Sequence, residues 1–444
     1  MTSSDLFGTL FLPDSVRAAV GDRAWVAAML EFEAALAAAE ARAGVIPGEA
    51  ATAIAAACDP DRFDVEALGR EGRAAGNPVV PLVRALTDAV TGDADRFVHW
   101  GATSQDVMDT AAMLVARRAL AAVGEELDGV VAACARLADE HRHTAMPART
   151  LLQQAVPTTF GLKAAAWLCG VDDARRRLAG LPLAVELGGA AGTLAALAPE
   201  GIRVLGYLAE ELALEEPVIP WHTSRARIGE IAAALALAAG ALEKVAGDVT
   251  LLAQTEVAEL GEPADPGRGG SSTLPHKRNP VGSVLAIACA ERVRGETSIL
   301  LAAMGQEHER AAGAWHAEWE ALGRALAYTG GAAAAVREVL DGLDVRPERM
   351  RENLDLTGGL LLAEPVSMAL RKQMGRSEAH RLVEAASRRA LDAGRPFRDE
   401  LLADEPIRSQ LSRDEIERAL DVDGYASSAA ALVERALTRY RERG

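Results

Sequence analysis

The stretch Gly269-Gly270-Ser271-Ser272-Thr273-Leu274-Pro275-His276-Lys277-Arg278-Asn279-Pro280 decides the reading of this chain. Its paired glycines and its prolines forbid a continuous helix, so the segment is a loop. Hydroxyls, an imidazole, two cations and an amide crowd into it, and the glycines and serines leave backbone N–H groups to face an anion. Long apolar helical runs lie on both sides. Read alone, the segment is either a solvated connector with incidental charges or a site carried on a rigid scaffold.

The chain has 444 residues, enough for about two to four domains. Half its residues are hydrophobic but only 4% are aromatic, and Ala, Leu, Glu and Arg dominate, which favours helix over sheet. A formal charge of −17 argues against nucleic acid or an anionic membrane as the main partner. It leaves an anionic small substrate open, since a site needs only local positive charge. Cys58, Cys134, Cys169 and Cys289 form no C-x-x-C, so reduced, mostly buried thiols in a cytoplasmic protein are expected, without a metal site. Met1 to Asp5 lacks the basic region of a signal peptide, and the uncharged run Ile231 to Leu242 is too short to span a bilayer.

Taken in order, residues 14–44 repeat Trp25, Met29, Phe32, Leu36 and Ala39 at helical spacing. Pro78 and Pro81 flank Val79-Val80, where a short extended link is expected. Thr103 or Ser104 can cap a long helix running to about 141, with Asp106 in its first turn, where the helix dipole favours a carboxylate. His141 falls at that helix's C-terminus, where a histidine is commonly a charge–dipole cap. Five long helices are expected at about 111–141, 158–181, 227–260, 281–303 and 314–341, which suggests a bundle. The Gly-rich run Gly188-Gly189-Ala190-Ala191-Gly192 lacks nucleotide-binding spacing and reads as a tight turn. Arg225 and Arg227 are either carboxylate clamps or exposed first-turn arginines. The His308/Glu309 region has no H-E-x-x-H spacing, which disfavours zinc.

Gly270 to Pro280 matches, at every fixed position, the G-S-S-x-x-P-x-K-x-N-P pattern of the fumarase/aspartase superfamily, which the chain resembles over nearly its whole length. The His99-x-Gly-x-Thr-Ser run is similar to the adenylosuccinate lyase and carboxymuconate cycloisomerase branches. Most lyase relatives carry Thr-His-x-Gln in the second element, where the histidine serves acid–base chemistry. This chain reads Thr150-Leu151-Leu152-Gln153. Leucine transfers no proton, which argues against an ordinary adenylosuccinate or argininosuccinate lyase. The cycloisomerase branch lacks that histidine, although it more often has Trp there. The segment from Gln306 to Trp319 also resembles that branch.

The resemblance implies an all-α, three-domain fold: an N-terminal helical domain (1–108), a central long-helix bundle with the signature loop (109–345) and a C-terminal helical domain (346–444). It implies a homotetramer with a twenty-helix core, whose active sites are shared between subunits, and no cofactor or metal. The superfamily's chemistry runs through an aci-carboxylate carbanion, which needs a proton-transfer group, donors for the developing charge and cations for the other carboxylates. Ser271 matches the catalytic loop serine, with Lys277 to stabilise its alkoxide. Lys277 and Asn279 match carboxylate-binding positions, and His99, Thr103, Ser104, Arg149, Thr150, Gln153, His276 and Arg310 are further substrate-binding candidates. With Leu151 inert, the candidate acids are His141, Lys277 and His276, of which His141, near neutral in its ordinary pKa, is preferred.

The activity implied is that of the cycloisomerase branch. A carboxylate of a small tricarboxylate, 3-carboxy-cis,cis-muconate, adds to its own diene to give 4-carboxymuconolactone, a step of protocatechuate breakdown through β-ketoadipate. The competing readings are an adenylosuccinate-type lyase, favoured by His276-Lys277, and a non-catalytic, crystallin-like scaffold, against which Ser271, Lys277 and Asn279 stand.

Overall fold

A computed structural model describes residues 5–263, 269, 270, 273, 274 and 276–443. Ser271 lies outside the described residues. The chain is all-α, with two small two-stranded sheets among the described residues. The five long helices are Ser104–Glu140, Phe160–Ala179, Ala226–Leu252, Val281–Ala302 and Ala314–Asp341. Among the described residues no helix is long and apolar enough to cross a membrane. All four cysteines are free.

Two compact units emerge, one of residues 1–128, 174–243 and 285–335, the other of residues 129–173, 244–284 and 336–444. Every boundary between them falls inside one of the five long helices. In the first unit the buried positions of these helices are often alanine, as at Ala111, Ala238, Ala239, Ala290, Ala325 and Ala332. Small side chains at contact positions let helix axes approach closely. The helix Asp22–Ala43 packs on Gly201–Leu212 and on Gly48–Ala57 in the same unit.

The second unit contains a hairpin that helical periodicity did not announce. Strand β1 (Ala145–Thr150) pairs antiparallel with β2 (Gln153–Thr159), with Thr150 opposite Gln153. The two-residue turn between them is Leu151-Leu152, at φ 51° and 65°. Such turns ordinarily take Asn or Gly, because a side chain with positive φ is strained. The hairpin packs on the helix Pro347–Asp355. Further along, Val366, Leu370, Leu382, Ala386, Phe397, Leu401, Ile407 and Ile416 form a C-terminal core.

Two expectations are corrected. Residues 79–89 are a helix, Val79–Ala89, not an extended link. Pro81 sits in its first turn, where no N–H is required, and the Asn77 side chain accepts from Val79 N at 3.0 Å. The helix from Ala226 stops at Leu252 instead of about 260. Ala258 turns with φ 52°, and Glu259 N bonds back to Leu252 O at 2.9 Å. That turn delivers the buried Glu259 side chain to Arg149.

Glu40, in the helix Asp22–Ala43, is fully buried, and neither carboxyl oxygen has a hydrogen-bond partner among the described residues. Burial, assisted by the charge of Glu33, pushes its pKa up to about 9. The folded chain keeps a proton there that the unfolded chain releases in the ordinary glutamate range. The resulting stability is complete below that range and is lost as pH rises towards 9. The melting temperature of Glu40→Gln minus that of the wild type should therefore increase from about pH 5 to about pH 9. A difference that stays constant across this range would contradict the assignment.

Candidate active site

The first unit's candidate residues are arranged around the fully buried Asp106. It is the third residue of the helix that begins at Ser104, and its Oδ2 accepts from Thr103 N at 2.9 Å, closing that helix's N-terminus. The same carboxylate receives Gly188 N at 2.9 Å, Gly189 N at 3.0 Å and His222 Nε2 at 2.7 Å. One side chain thus ties together the Thr103 turn, the Gly-rich turn and the segment before Ala226. Gly189 is required here: its φ is +69°, and a Cβ would lie 2.9 Å from Gly101 O. The Thr103 and Ser104 hydroxyls make no hydrogen bond among the described residues, and both residues are partly exposed beside free N–H groups of the helix start. They can receive a carboxylate.

Behind Asp106 lies a second buried cluster. Arg225 binds Asp109 through Nη1 at 2.7 Å and Nη2 at 3.0 Å, and Glu318 through Nη2 at 2.5 Å. Trp315 Nε1 donates to Asp109 at 3.1 Å, and Gln306 Nε2 donates to Glu318 at 2.9 Å. Arg225 is therefore a clamp, but for the protein's own carboxylates. Glu186 is buried nearby, its Oε2 accepting from Trp221 N at 2.6 Å. Burial and the charges of Asp106 and Asp109 push its carboxyl pKa well above the ordinary range.

Asp106, Glu186 and His222 have ligand-type atoms within 4.8 Å of one another. Their donor set suits a proton network better than a cation. Asp106 already accepts from three backbone N–H groups and from His222, and burial together with neighbouring carboxylates disfavours the charged form of Glu186. A metal would have to displace these bonds.

Arg310 donates to Gln105 Oε1 at 3.1 Å and to Ala190 O at 3.0 Å, so it fastens the Gly-rich turn. His99 stands at φ 58°, its Nδ1 2.7 Å from Oε1 of the buried Glu33. Neither Glu33 nor His222 stands out in the sequence, because each finds its meaning only in a partner more than sixty residues away.

The second unit holds the other candidates. In the signature loop, Gly269 O accepts from Asn279 N at 2.9 Å and from Asn279 Nδ2 at 3.1 Å. A Cβ on Gly269, at φ +65°, would meet Asn279 O at 2.5 Å, so only glycine closes the loop this tightly. Glu262 caps the following helix through Gly282 N, Ser283 N and Ser283 Oγ. His276 and Lys277 are exposed, and their side chains make no hydrogen bond or ion pair among the described residues.

Arg149 forms a two-pronged pair with Glu259, at 2.9 and 2.7 Å, and Asn353 Nδ2 donates to the same carboxylate at 2.8 Å. Both outer nitrogens of Arg149 thus serve the hairpin. Thr150 and Gln153 are exposed beside the tip, where Leu151 is 96% and Leu152 73% exposed. His141 Nδ1 lies 3.1 Å from Thr144 Oγ1, and its ring meets Phe160 edge to face. Burial lowers its pKa, against the charge of Glu140.

A family model described as "Lyase" matches residues 13–295, and one described as "Adenylosuccinate lyase C-terminus" matches residues 359–436. A 3-carboxy-cis,cis-muconate cycloisomerase of Bradyrhizobium diazoefficiens is 48% identical, covering 98% of this chain and 98% of the relative. A nitrosuccinate lyase of Streptomyces davaonensis is 47% identical, covering 95% and 92%. The crystal structure of 3-carboxy-cis,cis-muconate lactonizing enzyme from Pseudomonas putida superposes with a TM-score of 0.92 at 42% identity, covering 99% of both chains. The chain belongs to the lyase family of the fumarase/aspartase superfamily.

Asp106→Ala would leave four donors, three of them buried, without an acceptor and should cost about 3 kcal/mol or more of stability. Denaturant unfolding followed by circular dichroism measures this. A loss under about 1 kcal/mol would show that these bonds do not organise the fold.

Proposed function

We propose that this chain is an enzyme interconverting 3-carboxy-cis,cis-muconate and 4-carboxymuconolactone in protocatechuate breakdown. The observation that carries the reading is Leu151. It stands exposed at the tip of the hairpin, in the position where most lyases of this superfamily keep a histidine. Full-length identity of 45–48% to several cycloisomerases supports it.

In this reading the Thr103 and Ser104 hydroxyls and the N-terminus of their helix hold one carboxylate, and Lys277, with His276, neutralises another. Thr150 and Gln153 meet the substrate beside Leu151, while Arg149, Asn279 and Arg310 keep the binding elements in place. Ser271 and Lys277 act on the reacting carbon, and His141 is kept as a candidate for the proton transfer. The third carboxylate attacks the diene, and the negative charge passes to an aci-carboxylate that fixed donors stabilise. Carbon is then protonated and the lactone is complete.

The chain is further proposed to work in the cytoplasm as a homotetramer with sites shared between copies, in three domains (1–108, 109–345 and 346–444). The free cysteines support the first point. Exposed apolar side chains on long helices, Leu237, Ile299 and Leu301, support the second. The second reading is a lyase that expels a small group from a succinate. The 47% identity to nitrosuccinate lyase favours it, being hardly below the highest of the cycloisomerase values.

Purified protein mixed with 3-carboxy-cis,cis-muconate should remove the ultraviolet band of the conjugated diene, while nitrosuccinate and adenylosuccinate in parallel cuvettes stay unchanged. Turnover of nitrosuccinate or adenylosuccinate in place of the muconate would transfer the assignment to a lyase. Turnover of none would move the scaffold reading to the front.

A further inference from the structure

We propose that His99, oriented by the buried Glu33 carboxylate, is the group that delivers the proton to carbon. The inference rests on the cycloisomerase reading and names the acid that Leu151 cannot be.

Three observations meet at His99. First, Glu33 is 1% exposed and its Oε1 lies 2.7 Å from His99 Nδ1, so the ring donates there and is fixed in one orientation. Second, Nε2 has no hydrogen-bond partner among the described residues, while the side chain keeps 17% of its surface exposed. The ring is anchored on one nitrogen and open on the other. Third, the backbone holds this residue at φ 58°, a conformation costly for any side chain and one that clusters at functional sites. The free hydroxyls of Thr103 and Ser104 follow within five residues, on the turn that Asp106 fixes.

The groups facing the ring are Glu33, from the helix Asp22–Ala43, and Asp106, from the helix Ser104–Glu140. Burial works against its charged form. Glu33, by charge and hydrogen bond, and Asp106 outweigh burial, and the pKa lies above the ordinary histidine value. His141 is pushed the other way by burial. The opposite directions of these two shifts agree with the geometry, in which His99 is anchored on Nδ1 and open at Nε2.

In the step itself, a substrate carboxylate oxygen forms the new C–O bond, and the alkene pair moves into the aci-carboxylate. That pair then forms the C–H bond with the proton leaving His99 Nε2, and the neutral imidazole recovers a proton from solvent. The trianionic substrate becomes a dianionic lactone with uptake of one proton per turnover.

The test compares wild type, His99→Gln, His99→Ala and Glu33→Gln on 3-carboxy-cis,cis-muconate across pH, with circular dichroism as a control for folding. Wild-type turnover secures the underlying reading; its absence would remove that reading and this inference together. Given turnover, His99→Gln should lower kcat by about 10²–10⁴ with KM changed less than about fivefold. Added imidazole should restore part of the activity of His99→Ala. Because the acid is the protonated ring, kcat falls as pH rises through its pKa, and Glu33→Gln should move that fall to lower pH. A His99→Gln kcat within about fivefold of wild type, or a loss confined to KM, would overturn the proposal. If the histidine variants fail to fold, an unmoved alkaline limb in Glu33→Gln would overturn it independently.

Discussion

The architecture of the first unit depends on one buried carboxylate. Asp106 accepts from Thr103, Gly188, Gly189 and His222, which come from three separate parts of the chain. A buried charge is tolerable only when its lone pairs are filled, and here the filling groups are largely backbone amides of turns. The chemistry that makes Asp106 stable therefore also fixes the turn carrying Thr103 and Ser104. A substrate carboxylate arriving there would meet donors already in place, which is what electrostatic preorganisation requires.

The second buried cluster extends this logic. Asp109 and Glu318 share Arg225, while burial and neighbouring carboxylates raise the pKa of Glu186. These groups are too enclosed to touch a substrate, so their service is to hold the helix Ser104–Glu140, the Gly-rich turn and the region of Trp315 in register. In the second unit Glu259 plays a similar part, gathering Arg149 and Asn353 under the hairpin. Arg149, Asn279 and Arg310, which the sequence offers as substrate ligands, bond to groups of the chain itself. An arginine that suits a foreign carboxylate suits an internal one equally well.

Much of the fold was legible because helix signals are local. The five long helices appear near their expected limits, except that the one from Ala226 ends at Leu252, and the described residues of the signature segment are non-helical, as its glycines and prolines lead one to expect. What escaped was decided by a local cap, by a turn without the usual turn residues and by distant partners. Asn77 capping Val79 converts an apparent extended link into a helix. The hairpin turns on Leu151-Leu152, which carry no ordinary turn signal. Glu33 and Glu259 look like solvent-facing charges until His99 and Arg149 are found against them. At the candidate site, motifs pointed to stretches of chain. They could not tell a residue that meets substrate from one that holds its neighbour.

The central claim is that this scaffold performs an intramolecular addition finished by a single protonation of carbon, with nothing expelled. Proton magnetic resonance of the reaction with 3-carboxy-cis,cis-muconate in deuterium oxide tests it most directly. The account predicts a lactone that retains every carbon of the substrate and carries one deuteron on the carbon next to the former aci-carboxylate. A product that has lost a fragment, or a lactone without solvent deuterium, would contradict it.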